Sequence, residues 1–139
     1  MTEDVTPDYF VTRDGETFAG LHLLLDMWGA AGLTDPDFVE TSLRQAAEAA
    51  GATVLHTHVH RFGNGGLSGV AVLAESHMSI HTWPERGFAA ADIFMCGGCD
   101  AYDAAQALRA RLAPARDHLT EMRRGRDHDS VSGEAHQAA

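Results

Sequence analysis

Two β-type runs, Thr53 to Phe62 and Leu67 to Ala74, flank the sequence Gly63-Asn64-Gly65-Gly66. Gly and Asn reach positive φ at little cost, so such a turn between β-type runs reads as a hairpin. A hairpin commits the middle of the chain to antiparallel sheet, and other elements must then cover one of its faces. Gly20 to Trp28 (GLHLLLDMW) is a dense apolar run ending at Gly29, a further strand. Asp35-Pro36 then supplies an N-cap and a Pro at the first helical position. Phe38, Val39, Leu43, Ala46, Ala47 and Ala50 recur at helical spacing until Gly51, which predicts a helix over about 36–50. Phe88 to Cys96 predicts another strand. Tyr102, Ala105, Leu108 and Leu112 mark a second helix that stops before Pro114, and His118 to Arg123 a last strand. The expected fold class is α+β: a two-layer sandwich, an antiparallel sheet with two helices on one face. Residues 1–14, polar and carrying Pro7, are expected to form a flexible arm, residues 15–124 one domain, and residues 125–139 a polar, disordered tail.

A chain of 139 residues is expected to form one domain. Its formal net charge of −10 argues against nucleic acid or an anionic membrane as partner, since both need basic patches. No run approaches the roughly 20 apolar residues of a membrane span. The opening MTEDVTPDYF has no basic or apolar region of a secretory signal, so the expected compartment is the cytoplasm. Cys96 and Cys99 are too close to staple a fold and are expected to be free thiols there.

Several motifs have a bland explanation. Cys96-Gly97-Gly98-Cys99 has Cys-x-x-Cys spacing, but the βαβ context of a redox pair and a second pair of zinc ligands are both missing. His56, His58 and His60 share one face of a strand. Same-face neighbours lie about 7 Å apart, which is long for three ligands of one ion. A polar strand face is the simpler explanation, with a three-His metal-binding protein as the alternative. Gly63 to Gly66 lacks the Lys and the following helix of a phosphate loop.

Glu75-Ser76-His77-Met78-Ser79-Ile80-His81-Thr82-Trp83-Pro84-Glu85 crowds reactive groups where Ser76 is expected to end a strand. Ser beside His suggests a nucleophile and base, but the Asp and the Gly-x-Ser-x-Gly elbow of a hydrolase are absent. Together with Gly87-Phe88-Ala89-Ala90 and Asp92-Ile93-Phe94-Met95-Cys96-Gly97, this stretch closely resembles the signature of prokaryotic S-adenosylmethionine decarboxylase proenzymes. The resemblance extends through His22-Leu23-Leu24, Gly51-Ala52-Thr53, His60-Arg61-Phe62 and Leu67-Ser68-Gly69-Val70.

The resemblance implies self-cleavage between Glu75 and Ser76, giving a β chain of residues 1–75 and an α chain of residues 76–139. The Ser76 hydroxyl would attack the Glu75 carbonyl to form an ester, supported by Ser68 at the oxyanion. His81 would act as the processing base at the Ser76 α-carbon. Elimination and hydrolysis would then leave a pyruvoyl group at position 76 and release ammonia. That group would hold the substrate amine as a Schiff base, in the role that pyridoxal phosphate plays elsewhere. Cys96 would donate a proton after carbon dioxide leaves, Phe62 would stack on the adenine, and Glu85 would contact the nucleoside. A homodimer of processed protomers is the implied assembly. The expected function is decarboxylation of S-adenosylmethionine to supply an aminopropyl donor for spermidine. Leu21, Phe88, Met95 and Ala30 depart from the family pattern, and the alternative is a pyruvoyl-dependent ornithine or arginine decarboxylase.

Overall fold

The computed structural model describes residues 4–5 and 9–126. The main sheet has six strands: β4 (Gly20–Trp28), β5 (Val54–Arg61), β6 (Leu67–Leu73), β7 (Ser76–Trp83), β8 (Phe88–Met95) and β9 (Arg116–Arg124). They lie in the order β5-β6-β7-β8-β4-β9, and every neighbouring pair is antiparallel. Helices α1 (Pro36–Ala49) and α2 (Ala101–Leu112) pack on each other. α1 covers β5 and β6, and α2 covers β4 and β8, so both helices sit on one face. This is the expected two-layer α+β sandwich.

Both helices begin where the sequence supplies a cap. The Asp35 carboxylate accepts from the N–H groups of Asp37 and Phe38, and that of Asp100 accepts from Tyr102 and Asp103. The core forms where period-two strands meet period-3.6 helices. Leu23, Leu25 and Met27 of β4, Met78 and Ile80 of β7, and Ile93 of β8 are fully buried, as are Leu43 of α1 and Leu108 of α2. The alternate residues of each strand face away from the helices, and among the described residues no helix covers them.

Two expectations are corrected. Ser76 opens a strand instead of ending one: Ser76–Trp83 is β7, paired with β6 and β8 along its length. Its buried positions are Ser76, Met78, Ile80 and Thr82, and the intervening His, Ser and Trp side chains hide that alternation in the sequence. The N-terminal segment is also more than a loose arm. β1 (Asp4–Val5), β2 (Val11–Arg13) and β3 (Glu16–Phe18) form a small antiparallel sheet. It is anchored from far along the chain, because Arg123 binds Asp14 at 2.9 Å and Glu16 at 2.7 Å, and Arg126 binds Glu16 at 2.5 Å. A boundary at residue 15 therefore falls inside the β2–β3 hairpin. Beyond Arg126 the expected tail lies outside the described residues, as does Pro7.

Candidate active site

The β6–β7 connection is a two-residue loop, Ala74-Glu75, between the paired residues Leu73 and Ser76. Two-residue hairpin loops usually carry positive φ at the first central residue or at both. Here only the second, Glu75, has it, at φ 67°. That pattern favours glycine, and a glutamate held there stores about 1–3 kcal/mol of backbone strain. The strained residue is the one before Ser76.

The end of β8 runs beside this loop. Cys96 donates its thiol to the Glu75 carbonyl oxygen at 2.6 Å, and its N–H to Ser76 Oγ at 3.3 Å. The two side chains are close as well, with Ser76 Oγ 3.9 Å from Cys96 Sγ. Ser76 is only 9% exposed, while Glu75 is at the surface. A hydroxyl, the preceding carbonyl and a donor on that carbonyl's oxygen are the parts of an acyl shift. Both cysteines are free thiols. Burial pushes the Cys99 thiol up from its ordinary value, and the neighbouring Cys96 adds to the rise, so Cys99 stays protonated.

The other residues singled out by the motif gather elsewhere. Ser68 pairs with His81 across the β6–β7 ladder, at the far end of the strands. His81 lies five positions along the strand from Ser76, about 17 Å away. Phe62 follows β5 at that same end, 47% exposed, with its ring edge-on to His60 at 4.7 Å between centroids. Glu85 lies there too, exposed in the short 3-10 turn Pro84–Arg86 after β7. Thr82 fixes this end: its hydroxyl donates to the Leu33 carbonyl and accepts from Leu67 N–H, both at 2.8 Å. A single chain thus brings Glu75, Ser76 and Cys96 together, and separately brings Phe62, Ser68, His81 and Glu85 to the opposite end of the sheet.

One cluster was not anticipated. On the uncovered face, Asp92 of β8 accepts from His22 of β4 at 2.6 Å and from the Ser79 hydroxyl, and lies 3.4 Å from His77 Nε2. The ligand atoms of His22, His77 and Asp92 all fall within 4.8 Å of one another. Arg124 sits 2.9 Å from His22 Nδ1, and a guanidinium only donates, so His22 carries its proton on Nε2 and gives it to Asp92. The bond therefore occupies the lone pair that an ion would need, and the cluster is a closed hydrogen-bond network. Burial alone would raise the Asp92 carboxyl, but the bonds from Ser79 and His22 outweigh it and hold the carboxyl below its ordinary value. Scattered across four strands in sequence, the group becomes visible only through the strand register. His56, His58 and His60 are exposed on β5 and form no such group among the described residues.

Comparison with known proteins identifies the family. The family model described as S-adenosylmethionine decarboxylase matches residues 21–125. The S-adenosylmethionine decarboxylase proenzyme of Methanococcus aeolicus is 44% identical over 109 residues, covering 76% of this chain and 93% of that protein. The proenzyme of the same name from Pseudomonas aeruginosa is 41% identical over 117 residues, covering 81% of this chain and 72% of that one. The crystal structure of the adenosylmethionine decarboxylase from Aquifex aeolicus superposes with a TM-score of 0.69 at 35% identity, covering 78% of this chain and 92% of that chain. With its hydroxyl, strained carbonyl and thiol inside the matched region, the chain belongs to the S-adenosylmethionine decarboxylase family.

Proposed function

We propose that the chain cuts itself between Glu75 and Ser76 and uses the resulting pyruvoyl group to decarboxylate S-adenosylmethionine. The observation that carries this is the Cys96 thiol on the Glu75 carbonyl oxygen at 2.6 Å, with Ser76 Oγ beside it. In the first step Ser76 Oγ bonds to the Glu75 carbonyl carbon as the hydroxyl proton is removed. The bond from that carbon to the Ser76 nitrogen then breaks, the nitrogen takes up a proton, and an ester replaces the amide. Negative charge develops on the Glu75 oxygen, where the Cys96 S–H already donates. Release of the left-handed Glu75 backbone favours the cut.

The surroundings of Ser76 suit a small keto group, being nearly closed to solvent. A pyruvoyl group supplies a ketone that takes the substrate amine and draws electrons away from the bond to the departing carboxylate. Cys96 holds a proton on Sγ, 3.9 Å from Ser76 Oγ in the uncut chain, and is the acid of the reaction. Phe62 offers an exposed flat face to adenine, and Glu85 a carboxylate to the nucleoside. The free thiols suit a reducing compartment, the cytoplasm.

Phe62, Ser68, His81 and Glu85 serve the site of a second copy. The uncovered sheet face carries Leu24, Val72 and Trp83, each more than a third exposed. Two such faces related by a two-fold axis, with β7 strands running oppositely, bring the His81 end of one copy to the Ser76 end of the other. The homodimer then holds two complete sites.

Denaturing mass spectrometry of purified protein tests the cut: fragments of residues 1–75 and 76–139 are expected, and a single intact chain after long incubation overturns it. Carbon dioxide release from S-adenosylmethionine, ornithine and arginine tests the substrate. Turnover of ornithine or arginine with none of S-adenosylmethionine would leave the self-cleavage standing and remove the substrate.

A further inference from the structure

Residues before Leu21 lie outside the region that the family model matches, yet they contact the residues on either side of the Cys96 thiol. Gly97, next to Cys96, is buried and donates its N–H to the Tyr9 carbonyl at 3.0 Å. Both partners are in the left-handed region, Tyr9 at φ 67° and Gly97 at φ 67°. The Tyr9 side chain lies beside Gly97, where an added Cβ would sit 3.2 Å from Tyr9 Cδ1. The contact is delivered by a fixed element. Just after Tyr9, Val11 and Phe18 of the β2–β3 hairpin are buried, and Arg123 grips Asp14 and Glu16 while its guanidinium stacks on Phe18 at 4.9 Å.

The turn that Tyr9 holds has little stiffness of its own. Gly97-Gly98 begins two residues past Met95, the last residue of β8 bonded in the ladder, and two glycines leave the backbone loose unless something ties it. On the other side, Gly20 lies so close to Cys96 that a Cβ would meet the Met95 carbonyl oxygen at 2.3 Å and Cys96 Cβ at 3.2 Å. Cys96 is therefore clasped between the first residue of β4 and the turn that Tyr9 ties down.

We propose that Tyr9 is a positioning residue: its backbone carbonyl ties down Gly97 and so holds the Cys96 thiol on the carbonyl oxygen of Glu75. The segment ahead of the family core is thereby part of the processing machinery. This rests on the role given to Cys96 above. The carbonyl, and not the ring, is the working group, so the backbone conformation of residue 9 decides the outcome.

The test uses the full chain with two readouts, neither of which is decarboxylation. One is the rate of self-cleavage. The other is the alkylation rate of Cys96 by iodoacetamide, followed by peptide mass mapping in the Ser76→Ala background, where no cleavage occurs. Tyr9→Pro forbids positive φ and displaces the carbonyl. It should slow self-cleavage about tenfold, in keeping with the cost of small misplacements of a reacting group, and speed Cys96 alkylation severalfold. Tyr9→Gly keeps the left-handed backbone and should recover most of both changes. Gly97→Ala pushes on the same contact from the other side and should resemble Tyr9→Pro, so the outcome is decided even if the proline variant fails to fold. Wild-type cleavage and alkylation rates in folded Tyr9→Pro and Gly97→Ala would overturn the strap. Equal losses in Tyr9→Gly and Tyr9→Pro would overturn the assignment to the carbonyl. A wild-type chain that never cleaves would instead remove the role of the site itself.

Discussion

At the Ser76 end of β7 a nucleophile, a carbonyl and a hydrogen-bond donor touch one another. At the His81 end, a serine and a histidine face each other across the ladder with no scissile bond near them. The first end is assembled by strand register within one chain, because β8 ends where β7 begins. The second end holds exposed groups, Phe62, His81 and Glu85, on or beside a sheet face that no described element covers. The contrast teaches that a continuous sequence motif need not be one site. Glu75 to Glu85 reads as a unit, but an extended strand carries its two ends apart.

The sharpest way to break this contrast is complementation. Ser76→Ala has no attacking hydroxyl and should remain a single chain of intact mass, without decarboxylation. His81→Ala should also be inactive, by losing the far end. Co-expressed, the two variants should regain about a quarter of wild-type activity, since random pairing makes half the dimers mixed and each mixed dimer has one complete site. No recovery in mixed dimers confirmed by native mass spectrometry would place both ends in one chain's service.

Next in size is Cys96→Ala. The thiol sits on the carbonyl that develops charge, so self-cleavage should slow by about a hundredfold, the lower range for losing one oxyanion donor. A time course of fragment appearance by gel gives the rate, and an unchanged rate would confine Cys96 to the later proton transfer. Phe62→Ala probes the far end alone. It should weaken use of S-adenosylmethionine by about 1–3 kcal/mol in kcat/KM, as loss of base stacking does elsewhere. Fragment appearance should stay near the wild-type rate, because adenine has no part in the cut.

The smallest effect concerns Asp92, which lies between the two ends. Its folded carboxyl is held below the ordinary value of 3.8. A depressed pKa contributes stability that is present above the unfolded value and lost as pH falls through the folded one. Asp92→Asn should therefore lower the urea midpoint at about pH 6 and lower it by less at about pH 3. An equal difference at both values would mean that the network is held by packing and not by charge.

Much of the scaffold was legible. The Gly63 to Gly66 turn, the Asp35-Pro36 cap and the spacing of Leu108 and Leu112 each report a local preference that the fold honours. What sequence reading missed depends on distant partners. β2 and β3 are three residues each, too short to show a period, and they are secured by Arg123 and Arg126 from the other end of the chain. β7 was hidden because its outward positions carry His, Ser and Trp. At the site, the motif pointed to Ser76 and Cys96, and register brings them together. It gave no sign that Cys96 reaches the Glu75 carbonyl, since the pair depends on where β8 stops relative to the β6–β7 loop.

The strand order has a mechanical consequence for a chain cut at its 75–76 bond. β4 belongs to the amino-terminal fragment, yet it is inserted between β8 and β9 of the carboxy-terminal one, bonded to both along its full length. β7 in turn keeps its ladder with β6 across the cut. The two peptides are interleaved like the teeth of a joint, and separating them means breaking three ladders at once. A nick in the covalent chain therefore leaves the body whole, and unfolding of the nicked protein becomes a dissociation whose midpoint rises with protein concentration.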